Sequence, residues 1–158
     1  MRYASFGDVS TGTLRNEDLL DTFASELEYQ LTRQPKRFKR AHYRSLIRAA
    51  RRDLVKLAAC PEDTATDETE GLVSKLQDAL GAFAPPYGYF GAHEGDGASF
   101  GFYLSNYALE YFDGLRVEDV SEVPRDYRGE VLHVNDHGNV TLYLAMSRGK
   151  LREVWGLV

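Results

Sequence analysis

Cysteine is nearly absent: Cys60 is the single one in 158 residues. No intrachain disulfide can form, and no cysteine-based zinc site can be assembled within one chain. Such sparing use fits a reducing compartment. No apolar run approaches the ~20 residues needed to cross a bilayer. The N-terminal stretch meets Asp8, Glu17 and Asp18 before any apolar core of a leader could form. The expectation is a cytosolic protein without a membrane segment. Glycine-rich phosphate and dinucleotide loops are missing as well. Arg148-Gly149-Lys150 lacks the upstream glycine of a P-loop, and Gly95 and Gly97 lack a third glycine opening a helix. No cofactor is expected on these grounds.

Acidic residues are missing from one segment in particular. Residues 33–56 carry ten of the nineteen Lys and Arg and a single acid, Asp53, for a segment charge of +9. The rest of the chain holds nine bases against twenty-three acids, or −14, so a net charge of −5 conceals a strong asymmetry. Within the segment arginine outnumbers lysine by seven to three, which favours planar, bidentate contacts over simple hydration.

What is present reads as one domain, 1–158, helical over 1–84 and β-rich over 85–158. Residues 1–12 are short, Gly/Ser/Thr-rich and expected to be a loop or arm. Thr13 or Asn16 can cap a first helix, with Glu17 and Asp18 near its positive end. Leu20, Phe23, Leu27 and Leu31 form one apolar stripe that must stop before Pro35. A second helix is expected over 36–59, with Tyr43, Ile47, Ala50, Leu54 and Leu57 as its core face. Along the same stretch Arg33, Arg37, Arg40, Arg44, Arg48 and Arg51 recur at helical spacing; at 100° per residue they fall within about 80° of one another. After a linker at 61–66, Asp67 with Glu70 resembles a capping box, and Leu72, Val73, Leu76, Leu80 and Phe83 give a third amphipathic helix ended by Pro85-Pro86.

Composition changes at that point. Residues 87–112 contain nine aromatics interleaved with glycine. Tyr87–His93 and Ala98–Leu104 read as strands joined by a tight Asp-Gly-containing turn. Residues 107–112 fit a short helix or a strand, and 117–127 read as an acidic loop. Val131–Val134, Val140–Met146 and Leu151–Leu157 are strands of a meander, separated by turns that each contain glycine. Val140, Leu142, Leu144 and Met146 give the middle strand one apolar face. The fold class is α+β, an N-terminal three-helix half packed on a C-terminal antiparallel sheet of four to six strands.

Three groups of residues can carry chemistry. The arginine stripe, with Arg37, Arg40, Arg44, Arg48 and Arg51 at its heart, can dock an acidic protein surface or the backbone of a nucleic acid; its bland alternative is pairing with the chain's own acids. A second group is His93, Glu94 and Asp96 at one turn with Asp136 and His137 at another, near His133. These would make a metal or acid–base site if both turns met, and ordinary turn chemistry accounts for them otherwise. Cys60 has no motif that marks a nucleophile. Phe100-Gly101-Phe102 resembles the core of the RNA-recognition-motif signature, whose aromatics stack on bases. It departs from that pattern at Ser99 and Ser105 and in helix order.

The stretches PPYGYFGAHEGDGASFGFYLS and RGEVLHVNDHGNVTLYLAMSRGKLREVWGLV, with the Ser10-Thr11-Gly12-Thr13 entry to the first helix, resemble small uncharacterised bacterial and mobile-element proteins. The resemblance covers the C-terminal half and implies a recurring small domain that acts by binding; a mobile-element inhibitor or accessory factor would fit. It supplies no catalytic residues. The function expected is therefore non-enzymatic docking through the arginine face, with a small metal-dependent enzyme as the alternative.

Overall fold

A computed structural model describes residues 2–59 and 67–158. Cys60 and the 61–66 linker lie outside the described residues. The chain is α+β and divides into two compact units, Met1–Ser105 and Asn106–Val158. The division falls beyond the change of composition at Pro85, because the first hairpin belongs with the helices.

The first unit comprises β1 (Gly7–Ser10), α1 (Asn16–Arg33), α2 (Ala41–Ala59), α3 (Asp67–Gly81), β2 (Gly88–His93) and β3 (Asp96–Leu104). The apolar stripes do what their spacing dictates. Leu20, Phe23, Leu27 and Leu31 of α1 and Leu72, Val73, Leu76 and Leu80 of α3 are all buried, with Phe83 just beyond, in one core. Phe23 sits at its centre, edge-on to Phe90 and Phe100 with ring centroids 5.1 and 5.5 Å away. This explains the aromatics of the hairpin: Phe102 is 1% exposed and the half-buried Phe100 packs against the same core, so the pair serves packing rather than base stacking.

Two local expectations are overturned here. Residues 7–10 are a strand, antiparallel to β3, and the sheet order is β1-β3-β2. Gly-Asp-Val-Ser has little strand propensity; pairing with β3 decides. Gly101 makes that pairing possible, since a Cβ there would collide with the carbonyl oxygen of Gly7. Across the same pair, the Tyr103 hydroxyl donates to Asp8 Oδ1 at 2.7 Å. Burial and that carboxylate push the Tyr103 hydroxyl well above the usual phenol range, so it remains a donor. The second helix begins at Ala41 rather than Lys36. Pro35 stops α1, a turn closes with Phe38 N–H donating to Pro35 O, and the Phe38 ring packs against Tyr43 and Phe83. Phe38 is thereby partly buried against the core, and the helix starts only beyond it.

The only acid in the basic segment has an internal task. Asp53 is buried, and the Thr69 hydroxyl of α3 donates to its Oδ2 at 2.7 Å, tying α2 to α3. Lys56 stands 3.9 Å from both Asp53 and Glu68 but is well exposed, so it adds little. Asp53→Ala removes a buried acceptor and is expected to lower stability by about 1–3 kcal/mol in urea denaturation. An unchanged midpoint would show that the pair does not couple the two helices.

The second unit contains a short helix α4 (Asn106–Glu110), then β4 (Leu115–Val117), β5 (Gly129–Val134), β6 (Val140–Ala145) and β7 (Leu151–Leu157) in the order β4-β5-β6-β7. The three-stranded meander is as expected. β4 adds to it in parallel, so the sheet is mixed. Instead of one sheet of four to six strands there are two, of three and four strands. β6 is also two-sided. Leu132, Leu142 and Trp155 make one buried row across β5, β6 and β7. On the other side Val117, Val131 and Ala145 are buried with Leu115, Tyr127, Tyr143 and Leu151 around them. Ala145 is buried because it shares the Tyr143 face, while Met146 lies past the end of β6 and is exposed; the register shift between β6 and β7 leaves Val154 as the extra residue of β7.

Candidate functional site: a bipolar groove between two helices

Helix α1 brings Asp21, Ser25, Glu28 and Thr32 to the side of its apolar stripe, at spacings 4, 3 and 4. Helix α2 brings Arg44, Arg48, Arg51, Arg52 and Val55. The two helices run antiparallel, since Arg51 pairs with Asp21 while Arg40 reaches Leu31 at the opposite end. Between them lies a groove in two adjoining parts of about 420 and 680 Å³. Glu28, Ile47 and Arg48 line both parts; Leu31, Thr32, Arg40 and Arg44 line only the first, and Arg51, Arg52 and Val55 only the second. The buried Leu31 and Ile47 lie at its floor, the α1 wall carries the Glu28 carboxylate and the α2 wall carries guanidiniums.

The stripe of six arginines is not a single helical face. Arg33 lies at the end of α1, over the Tyr29 ring at 5.6 Å. Arg37 and Arg40 lie in the connection that the Phe38 turn creates. Arg40 is structural: its Nε donates to Leu31 O at 3.1 Å and its Nη2 to Gln34 O, so its charge sits on the negative C-terminal end of α1. Arg51 is engaged by Asp21 and by Ser25 Oγ. That pair is exposed on both sides, so it contributes at most about 1 kcal/mol. Of the five arginines expected to bind, Arg40 and Arg51 are thus occupied within the unit. Arg37, Arg44 and Arg48 are exposed and form no ion pair with any described carboxylate, and Arg52 joins them. Glu28 likewise has no ion pair among the described residues, although it faces the groove.

Glu28, Thr32, Arg52 and Val55 are the groove residues that the one-dimensional pattern did not single out. The polar stripe 21-25-28-32 was available as a signal, but only the antiparallel placement of α2 makes it a wall. Val55 is 71% exposed on α2, a position at which spacing alone predicts solvent and polarity.

The His/Asp/Glu group has turn roles. His93 Nδ1 accepts from Gly95 N at 3.0 Å, and Asp96 accepts from Ala98 N and from Ser99 Oγ. The Ser99 hydroxyl and then the Ala98 amide hold the Asp96 carboxyl below the usual carboxylate range. In the other turn the Asn135 side chain accepts from the amides of His137 and Asn139, while Asp136 and His137 point into solvent 3.6 Å apart. Gly138 takes the positive φ of 81° that this turn demands. His133 lies against Glu118 O at 3.0 Å. Among the described residues no three His, Cys, Asp or Glu side chains gather to hold a metal ion; of the alternative ligands, His93 and Asp96 belong to a turn of the first unit and Asp136 and His137 to a turn of the second, each with the local contacts just given. No described helix is long and apolar enough to cross a membrane.

No family model, no curated protein and no solved structure matches the chain.

Proposed function

We propose that the protein is a non-enzymatic binding protein that docks an acidic macromolecular surface on the arginine wall of α2. One observation carries this: Arg44, Arg48 and Arg52 stand exposed in a row along a groove, with no described carboxylate neutralising them. Surface cations that serve only solubility need no groove beside them; guanidiniums ranked at helical spacing offer several bidentate sites to a partner's carboxylates or phosphates. The +9 charge of residues 33–56 raises the local concentration of such a partner and speeds its approach. A role as inhibitor or accessory factor of a mobile element, in the cytosol, agrees with this mode of action, and the lone cysteine supports that compartment.

The binding residues are Arg44 and Arg48, with Arg37 and Arg52 flanking. Arg40 is left out because reversing it would uncap α1. Poly-L-glutamate is the simplest probe. At about 50 mM salt the wild-type chain is expected to bind it, with affinity falling as salt rises. The double variant R44E/R48E should bind at least roughly tenfold more weakly, with an unchanged circular dichroism spectrum because both side chains are exposed. Equal binding by the two proteins, or none by the wild type, would overturn the proposal.

A further inference from the structure

We infer that the occupant of the α1/α2 groove is an amphipathic, predominantly acidic α-helix of a protein partner, which completes the helix pair as a third member. This rests on the docking function proposed above and names its ligand.

The charges do not suit a nucleic acid. A phosphate backbone is negative along its whole length. Glu28 is exposed and lines both parts of the groove, so it would face that backbone with like charge. A phosphate chain also has nothing to place on Val55, the exposed apolar side chain of the groove beside the buried Leu31 and Ile47. A helix has both. Arg44, Arg48 and Arg52 are successive residues four apart, about 6 Å from one to the next along the axis. Carboxylates four apart on a docked helix repeat at that same interval, so three pairs can form at once along one flank. The opposite flank meets Glu28 and calls for a lysine or arginine. Between the flanks a row of apolar side chains at spacings 3 and 4 would cover the floor. This is the arrangement of interhelical seams, with apolar residues in the middle and complementary charges at the edges.

The exposure of Val55 supports this occupant. A valine 71% exposed beside Arg51 and Arg52 wastes apolar surface in the free protein; a docked apolar side chain removes it from water. Burial of the floor also lowers the dielectric around the arginines and strengthens each pair they make.

The test uses the full chain and a designed amphipathic peptide of about 18 residues, long enough to form helix on docking. It has leucines at spacings 3 and 4, glutamates four apart on one flank and a lysine on the other. The controls are a peptide of identical composition in scrambled order, a DNA duplex of about 20 base pairs and poly-L-glutamate. Wild-type protein is expected to bind the ordered peptide at least about tenfold more tightly than the scrambled one, with a gain of helix signal. Val55→Lys should weaken ordered-peptide binding roughly tenfold while leaving poly-L-glutamate binding equal or tighter, because it removes floor and adds charge. Glu28→Lys should weaken the ordered peptide through its lysine. Equal binding of ordered and scrambled peptides would sink the helix inference and leave the docking function standing; loss of poly-L-glutamate binding as well would sink both. Tighter binding of DNA than of the ordered peptide would make the ligand a nucleic acid and overturn the inference. So would concentration-dependent self-association of the wild type that Val55→Lys abolishes, since the occupant would then be a second copy of the chain.

Discussion

Phe23→Ala is expected to remove about 3–5 kcal/mol of stability from the first unit. The ring is fully buried on α1 and meets Phe90 of β2 and Phe100 of β3 edge-on, so it joins the helices to the sheet. Truncation loses the transfer free energy of the ring and leaves a cavity whose walls belong to three different elements. Such walls cannot close together without shifting a helix against a sheet, so little of the cavity term is recovered. Against a typical total of 5–15 kcal/mol, the loss takes a domain of this size near its unfolding threshold. Urea denaturation followed by far-ultraviolet circular dichroism measures it; a shift worth less than about 1 kcal/mol would mean that the ring is not in a packed interior.

Leu132→Ala should cost about 2–5 kcal/mol in the second unit. Leu132 is fully buried on β5 and pairs across the sheet with Leu142, which in turn pairs with Trp155. Cross-strand rows of this kind are the unit of sheet stability, and shortening one member of a three-strand row loosens both neighbours. Trp155 is the only tryptophan, so its fluorescence reports this row directly. The variant should show a red-shifted Trp155 emission and an earlier unfolding midpoint by that signal. Wild-type emission with an unshifted midpoint would contradict the packing described.

These two positions differ in how legible they were. Phe23 belongs to a stripe at spacings 3, 4 and 4 that has one physical interpretation, and the structure places every member of it in the core. Leu132 follows Val131 in a short β-segment, two adjacent apolar residues that point to opposite faces, and only pairing shows that both of those faces are buried. The arginines show the same contrast. Their helical spacing was real arithmetic, yet it ran through Pro35 and Phe38, and the turn there breaks the row into a cap, a turn and a wall.

Period and composition by themselves determined three amphipathic helices, the meander, the α+β class and the charge asymmetry, because each is a local property: an apolar stripe has to be buried whatever covers it. Tertiary structure alone decided which arginines remain available, that residues 7–10 become a strand, and that Asp21, Ser25 and Glu28 face a basic wall. Those outcomes depend on residues far apart in the chain meeting across a gap of a few ångströms. A backbone carbonyl that happens to lie beside Arg40, or a glycine that admits β1 beside β3, leaves no periodic trace along the chain.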